Sequence, residues 1–273
     1  DAASAGDTIH LEPGGVYGAL YMSKKLVIIG TGDFITQNPG YQANQNPGWS
    51  SGITIAGGSE FSTISCKIVG DLTINCNNIV VTNSSVQKVI IGFGASNISV
   101  NKSIISAAYF GNHYNTSISI MNCYINMLSG NYGLSSEIYC NYNLIGISNT
   151  SQTYANGVFS NNIFFDASTS SNAGVNNTNF VNCNLVNNIT SNYSMIGNNY
   201  NGTNVMVDGN SGFGNSHNVD MNTVFQNWGN FTGDNYQLKA SYSNQNVGMY
   251  AGGDPYKPAC TPAIPSIYQM STP

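Results

Sequence analysis

Side chains able to do acid–base, nucleophilic or metal chemistry are few and widely spaced in this 273-residue sequence. Glycoside hydrolysis needs two carboxyl groups about 5–10 Å apart, one to give a proton and one to act as nucleophile or base. Between Ser103 and Leu238 the charged residues are Glu137, Asp166, Asp208, Asp220 and Asp234, and no two stand at a spacing that pairs them. His10, His113 and His217 are in no metal-ligand spacing with Cys or Asp, so solvated or hydrogen-bonded imidazoles are expected. Asp208-Gly209-Asn210 has the look of a calcium-loop fragment but lacks the remaining oxygen ligands at fixed spacing. The expectation is no catalytic residue, no metal site and no cofactor, with calcium at that fragment the one candidate exception.

Composition narrows the partners. Only 7% of residues are charged, the net charge is −5, and all seven basic residues are Lys. Without Arg there is no bidentate clamp for phosphate, and the acidic balance excludes nucleic acid and anionic membrane surfaces. The longest apolar runs, such as Ile79-Val80-Val81 and Val89-Ile90-Ile91, are far shorter than the ~20 residues that span a bilayer, so no membrane insertion is expected. Yet 17 Tyr, 11 Phe and recurrent β-branched residues argue for a packed fold. The Tyr residues are expected mainly as outward strand and turn residues rather than as sugar platforms. Ten Asn-x-Ser/Thr sequons occur, but 42 Asn in a chain rich in Ser and Thr supply nearly that many by chance.

Proline placement gives the organisation. The eight prolines are at positions 13, 39, 47, 255, 258, 262, 265 and 273, leaving none between Trp49 and Asp254. Because proline cannot donate to a backbone ladder, that gap reads as one continuous region of paired strands and turns. The reading is one β body over residues 1–248, interrupted by a loop insertion at 36–51, and a proline-rich C-terminal cap or tail at 249–273.

Within the body the sequence repeats. Segments beginning at Ile79, Ile98, Ile118, Ile138, Val158 and Thr178 align beneath one another at offsets of 19, 20, 20, 20 and 20 residues. Each copy alternates with period two, as in Ile98-Ser99-Val100 and Ile118-Ser119-Ile120, so each opens on a strand. A second apolar position follows at Val86, Ile105, Ile125, Ile145, Phe165 and Leu185. Three short strands in ~20 residues, with no helical period, predict one coil of an all-β, single-stranded, right-handed parallel β-helix. A leucine-rich repeat is excluded by the missing leucine and asparagine frame.

The expected core columns are Ile98, Ile118 and Ile138, with Val100, Ile120 and Cys140 beside them. Asn83, Asn122, Asn162 and Asn182 align just after the first strand, where Asn tolerates left-handed backbone and its amide can bond to neighbouring turns. They predict a structural Asn column, interrupted by Lys102 and Tyr142. Of the six Cys, Cys123 and Cys183 fall in one column three coils apart, too far to pair. Cys66 with Cys76 and Cys123 with Cys140 are conceivable disulfides; otherwise the thiols are small buried apolar groups.

The opening Ala5-Gly6-Asp7-Thr8-Ile9-His10-Leu11-Glu12-Pro13-Gly14-Gly15-Val16-Tyr17, followed by Lys25-Leu26-Val27-Ile28-Ile29-Gly30, resembles the start of right-handed parallel β-helix proteins of the pectate-lyase-like superfamily. The closing Asn246-Val247-Gly248-Met249-Tyr250-Ala251-Gly252-Gly253-Asp254-Pro255-Tyr256-Lys257, with Ile264-Pro265-Ser266-Ile267, resembles the end of secreted bacterial β-helix repeat proteins. The resemblance implies an extracellular or cell-surface location. It also implies a polysaccharide-active alternative, since lyases of this fold use an Arg or Lys base with calcium-holding acids and hydrolases use clustered Asp. Here Arg is absent, the Lys residues nearest the coils are Lys67, Lys88 and Lys102, and the acids are scattered. In such proteins an amphipathic helix usually plugs the first coil. Only Asp1-Ala2-Ala3-Ser4 precedes the opening phrase here, so trimming of a longer parent or another cover for that end is expected. No charged and apolar leader opens the chain, so any signal peptide is expected to have been removed or to lie outside it.

These observations predict a non-catalytic structural or adhesive solenoid, self-associating end to end into a surface filament. The alternative is a β-helix that binds or degrades polysaccharide.

Overall fold

The computed structural model describes residues 3–30, 46–110, 117–130, 137–147, 152–166, 178–181, 183–191, 211–216, 219–228, 237–253 and 256. The chain winds as a nearly all-β solenoid of about six turns, with two sheets of parallel strands running along its length. The first sheet has ten strands, in the order Thr8–His10, Val27–Ile29, Thr63–Ser65, Ile79–Thr82, Ile98–Asn101, Ile118–Met121, Ile138–Asn141, Val158–Ser160, Asn184–Val186 and Ser211–Phe213. The second has twelve and includes Lys67–Ile74, Ser85–Ile91 and Ile104–Phe110.

Register follows the repeat. Ile98 pairs with Ile79 and with Ile118, and Ile118 pairs with Ile138, so these side chains stand over one another in the core. Val100, Ile120 and Cys140 form the adjacent buried column, which continues into Phe159 and Leu185. Across the core, Val86, Ile105, Ile125 and Ile145 stack in the second sheet, and Phe164 rather than Phe165 continues them. Each fully buried side chain of this kind contributes about 1.5–3 kcal/mol, so the columns are the main source of stability.

The expected 20-residue phase is lost after Ile138. Tyr139 pairs with Val158, a step of 19 residues, and Val158 pairs with Asn184, a step of 26. Thr178–Val181, placed beneath Val158 by the repeat, instead pairs with Gln152–Ala155 in a separate two-stranded sheet. Its Phe180 joins a buried aromatic cluster, with ring centroids 5.0 Å from Phe159 and 5.6 Å from Tyr154. That packing, rather than period-two alternation, explains its apolar signal.

Two segments at the expected boundaries take part in the fold. Within the 36–51 insertion, Trp49–Ser50 is a strand, paired with Val16–Tyr17 on one side and with Lys67 and Ile68 on the other. At the other end, Val247 and Met249, on either side of 248, both belong to a cover. Met221, Val224, Phe225, Val247, Met249 and Tyr256 bury against Tyr124, Leu144, Ile163, Phe165 and Ile189 on the outer side of the second sheet. A strand buried on both faces reads as an unbroken apolar run, as Tyr124-Ile125, Leu144-Ile145 and Ile163-Phe164-Phe165 do. The cover contains two one-turn helices, Met221–Val224 and Ala240–Ser243, and Asp220 caps the first by accepting from the Asn222 backbone N–H at 2.9 Å.

Candidate functional site

Two rows of left-handed residues flank the first sheet and fix which side chains face out. After the strands stand Asn83, Lys102, Asn122, Tyr142, Asn161 and Asn187, with φ between 47° and 57°. Asn83 and Asn122 of the expected column occupy this row; Asn162 does not, because the 19-residue step puts Asn161 there. Asn182 lies outside the described residues. Before the strands stand Phe61, Asn78, Asn97, Ser117 and Asn156, with φ between 55° and 66°.

Asn162 belongs instead to a buried ladder that the sequence reading missed. Asn143, Asn162, Asn188 and Asn215 stack one position beyond the turn row, at the start of the second sheet. In the three Asn–Asn steps the Oδ1 of Asn162, Asn188 and Asn215 accepts from the backbone N–H and Nδ2 of the Asn in the preceding coil, at 2.9–3.1 Å, and Asn143 Oδ1 accepts from the Cys123 backbone N–H at 2.9 Å. Their second Nδ2 protons go to the carbonyls of Ile120, Cys140, Phe159 and Leu185, at 2.8–2.9 Å. The same column continues toward the N-terminus as Cys123, Ser103, Ser84 and Cys66, with the Ser84 and Ser103 hydroxyls accepting from the backbone N–H groups of Cys66 and Ser84. Cys183 is not in Cys123's column as the repeat suggested; it precedes the strand Asn184–Val186 of the first sheet.

Outward from this scaffold, the first sheet presents two rows between Thr63 and Ser160. One is Thr63, Val80, Ser99, Ser119, Tyr139 and Val158; the other is Ser65, Thr82, Asn101, Met121, Asn141 and Ser160. None carries a charge. Asn141 Oδ1 accepts from Ser160 Oγ at 3.1 Å and Asn161 Nδ2 at 3.0 Å, and Thr82 donates to Asn101, so the polar groups are partly tied to one another. At one margin a shallow cavity of about 250 Å³ is lined by Phe61, Asn78, Ile79, Val80, Asn97 and Ser99.

Ionisable groups border this stretch, with Lys102 in the turn row beside Asn101 and His10 in register with Ile29 and Ser65 at the first strand of the same sheet, and others lie on the second sheet and the cover. Asp71 and Lys88 face each other at 3.9 Å on the second sheet, with Lys88 Nζ 4.9 Å from the Tyr109 ring centroid. Both charges are well exposed, so the pair contributes about 0–1 kcal/mol. Glu137 directly precedes the strand Ile138–Asn141, Asp220 caps a helix, and His10 is exposed in the first strand. His113, His217, Asp208, Asn210 and Asp234 lie outside the described residues. Among the described residues no three of His, Cys, Asp and Glu come together in a way that could hold a metal ion. Cys66, Cys76, Cys123 and Cys140 are buried thiols, so neither conceivable disulfide is formed. Burial pushes the Cys66 and Cys123 thiols up to about 12, and Cys140 higher still, by burial first and then by Cys123 and Cys183 beside it.

Comparison with protein-family models, with curated proteins and with solved structures gives no match.

Proposed function

We propose that this chain is a non-catalytic, extracellular structural or adhesive β-solenoid of pectate-lyase-like kinship, a subunit that stacks end to end at a cell surface. The observation that carries the reading is the first sheet's outer face between Thr63 and Ser160, twelve stacked positions with no charged side chain, backed by buried apolar columns and a buried amide ladder. Such a face offers Ser, Thr and Asn hydrogen-bonding groups beside Val80, Met121 and Tyr139, each at least 36% exposed. That chemistry suits broad contact with a neutral surface better than proton transfer, which needs ionisable groups in reach of one another.

End-to-end stacking, the finer part of the proposal, would use the first described coil. Among the described residues no strand pairs with the outer edges of Thr8–His10, Val16–Tyr17 and Leu20–Met22. Ile9, Tyr17 and Leu20 there are only partly buried, whereas Ile79, Ile98 and Ile118 are at most 1% exposed. An edge of this kind accepts a further strand, whether from residues of the same protein or from a second copy.

Incubation with acidic and neutral polysaccharides, followed by assay of reducing and unsaturated ends, tests the non-catalytic reading: no product is expected. Product that grows with protein concentration would establish the polysaccharide-degrading alternative. Electron microscopy of concentrated protein tests stacking. Linear assemblies are expected, and discrete particles at every concentration would contradict it.

A further inference from the structure

Phe61 is out of place by every criterion the fold supplies. It occupies the left-handed row before the first sheet, where its neighbours are Asn78, Asn97, Ser117 and Asn156. A bulky residue at φ 66° is strained, and small polar residues are used at the other positions. The strain is not repaid by packing, since the side chain is 65% exposed. Outliers retained against local preference cluster at functional sites.

What stands around the ring gives the strain a use. Phe61 and Val80, the latter 36% exposed, wall the shallow cavity, and Asn78, Asn97 and Ser99 supply its polar side. The Asn97 Nδ2 group donates to Asn78 Oδ1, which orients the two amides and leaves Asn78 Nδ2 as donor and Asn97 Oδ1 as acceptor, with no protein partner among the described residues. The backbone beneath is fixed, because the Phe61 N–H donates to the Asn78 carbonyl at 2.9 Å and the Asn78 N–H to the Ser96 carbonyl at 3.1 Å. No charged side chain lines the cavity.

An exposed ring beside a donor and acceptor pair matches one chemical class. A neutral pyranose has an apolar C–H face that lies on an aromatic ring and vicinal hydroxyls that both accept and donate. A uronate would bring a carboxylate to a site without a cation. We propose that Phe61, Asn78, Asn97 and Ser99 form a subsite for one neutral hexose of a polysaccharide chain, with the uncharged sheet face receiving the adjoining sugars. The inference rests on the adhesive reading and names its ligand class.

Titration of the isotope-labelled protein with cellohexaose, and separately with hexagalacturonate, followed by NMR, tests it. Saturable shifts of the Asn78, Asn97 and Ser99 signals are expected with cellohexaose and none with hexagalacturonate. Phe61→Asn should raise the melting temperature by relieving the strain, yet weaken cellohexaose affinity about tenfold. Asn97→Gly, which keeps the backbone conformation and removes the amide, should weaken it as well. Absence of binding by cellohexaose, equal shifts with hexagalacturonate, or unchanged affinity in Phe61→Asn would each overturn the subsite. Those failures leave the adhesive reading standing, whereas release of shorter sugars during the titration would strike that reading and not the subsite.

Discussion

Asn162 and Asn188 are 26 residues apart in sequence and one rung apart in the solenoid: Asn188 Oδ1 accepts from both the backbone N–H and Nδ2 of Asn162, at 3.0 and 3.1 Å. Every polar atom of the Asn162 amide is used, since its other Nδ2 proton goes to the Cys140 carbonyl and its Oδ1 accepts twice from Asn143. Asn162→Ala would therefore leave the Asn143 backbone N–H and one Asn143 Nδ2 proton without an acceptor in the core, and would take one donor from the Cys140 carbonyl. At about 1–3 kcal/mol for each orphaned buried group, partly relieved by relaxation, a loss of about 3–5 kcal/mol is expected. Equilibrium denaturation of the variant measures it; a loss below about 1 kcal/mol would show the ladder to be incidental.

The buried thiols predict a pH dependence. Burial pushes the Cys66 and Cys123 thiols from an ordinary value of 9.0 up to about 12 in the folded chain. The folded state therefore keeps protons that the unfolded state releases, and their contribution is complete below pH 9 and lost as pH rises from 9 towards 12. Stability should fall over that alkaline window. At pH 8, peptides containing Cys66, Cys123 and Cys140 should resist alkylation until denaturant is added, as mass spectrometry of the labelled peptides would report. Rapid native-state labelling of any of the three would contradict their burial.

Asn122 ties the cover to the solenoid, donating through Nδ2 to the carbonyls of Met249 at 3.1 Å and Ala251 at 2.8 Å. Its backbone is left-handed, with φ 53°, so Asn122→Gly removes the amide without adding strain. A loss of about 1–3 kcal/mol is expected, with faster amide exchange confined to 247–251. Uniform exchange along the whole chain would instead show cover and solenoid to open as one unit.

How much of this was readable from sequence depends on which packing set each residue. Ile98, Ile118 and Ile138 face a continuous core on one side and solvent on the other, so their period survives in the sequence. The amide ladder was missed because it lies one position past the turn row, where Asn143 and Asn162 are 19 residues apart and Asn188 is a further 26 on. A fixed 20-residue frame merges the two columns and misassigns Asn162. Phe180 misled for a related reason: its aromatic partners Tyr154 and Phe159 come from tertiary packing that no local period encodes. The doublets Tyr124-Ile125 and Leu144-Ile145 carried a usable signal, since an apolar pair breaks alternation where both strand faces are buried, although the run Ile79-Val80-Val81 leaves Val80 exposed. Phe61 carried none, because its strain belongs to a backbone angle and not to a pattern.

The central claim, that the uncharged face of the first sheet is a non-catalytic contact surface, is tested most directly by retention of the protein on insoluble neutral and acidic polysaccharides, with soluble products assayed in the same tubes. The comparison is with Ser99→Lys/Tyr139→Lys, which puts two charges on that face two coils apart and should leave stability within about 1 kcal/mol of the parent. The account predicts retention of the parent on a neutral polymer without product, and loss of that retention in the variant. Retention unchanged by the two lysines, or soluble sugars released by the parent, would contradict it.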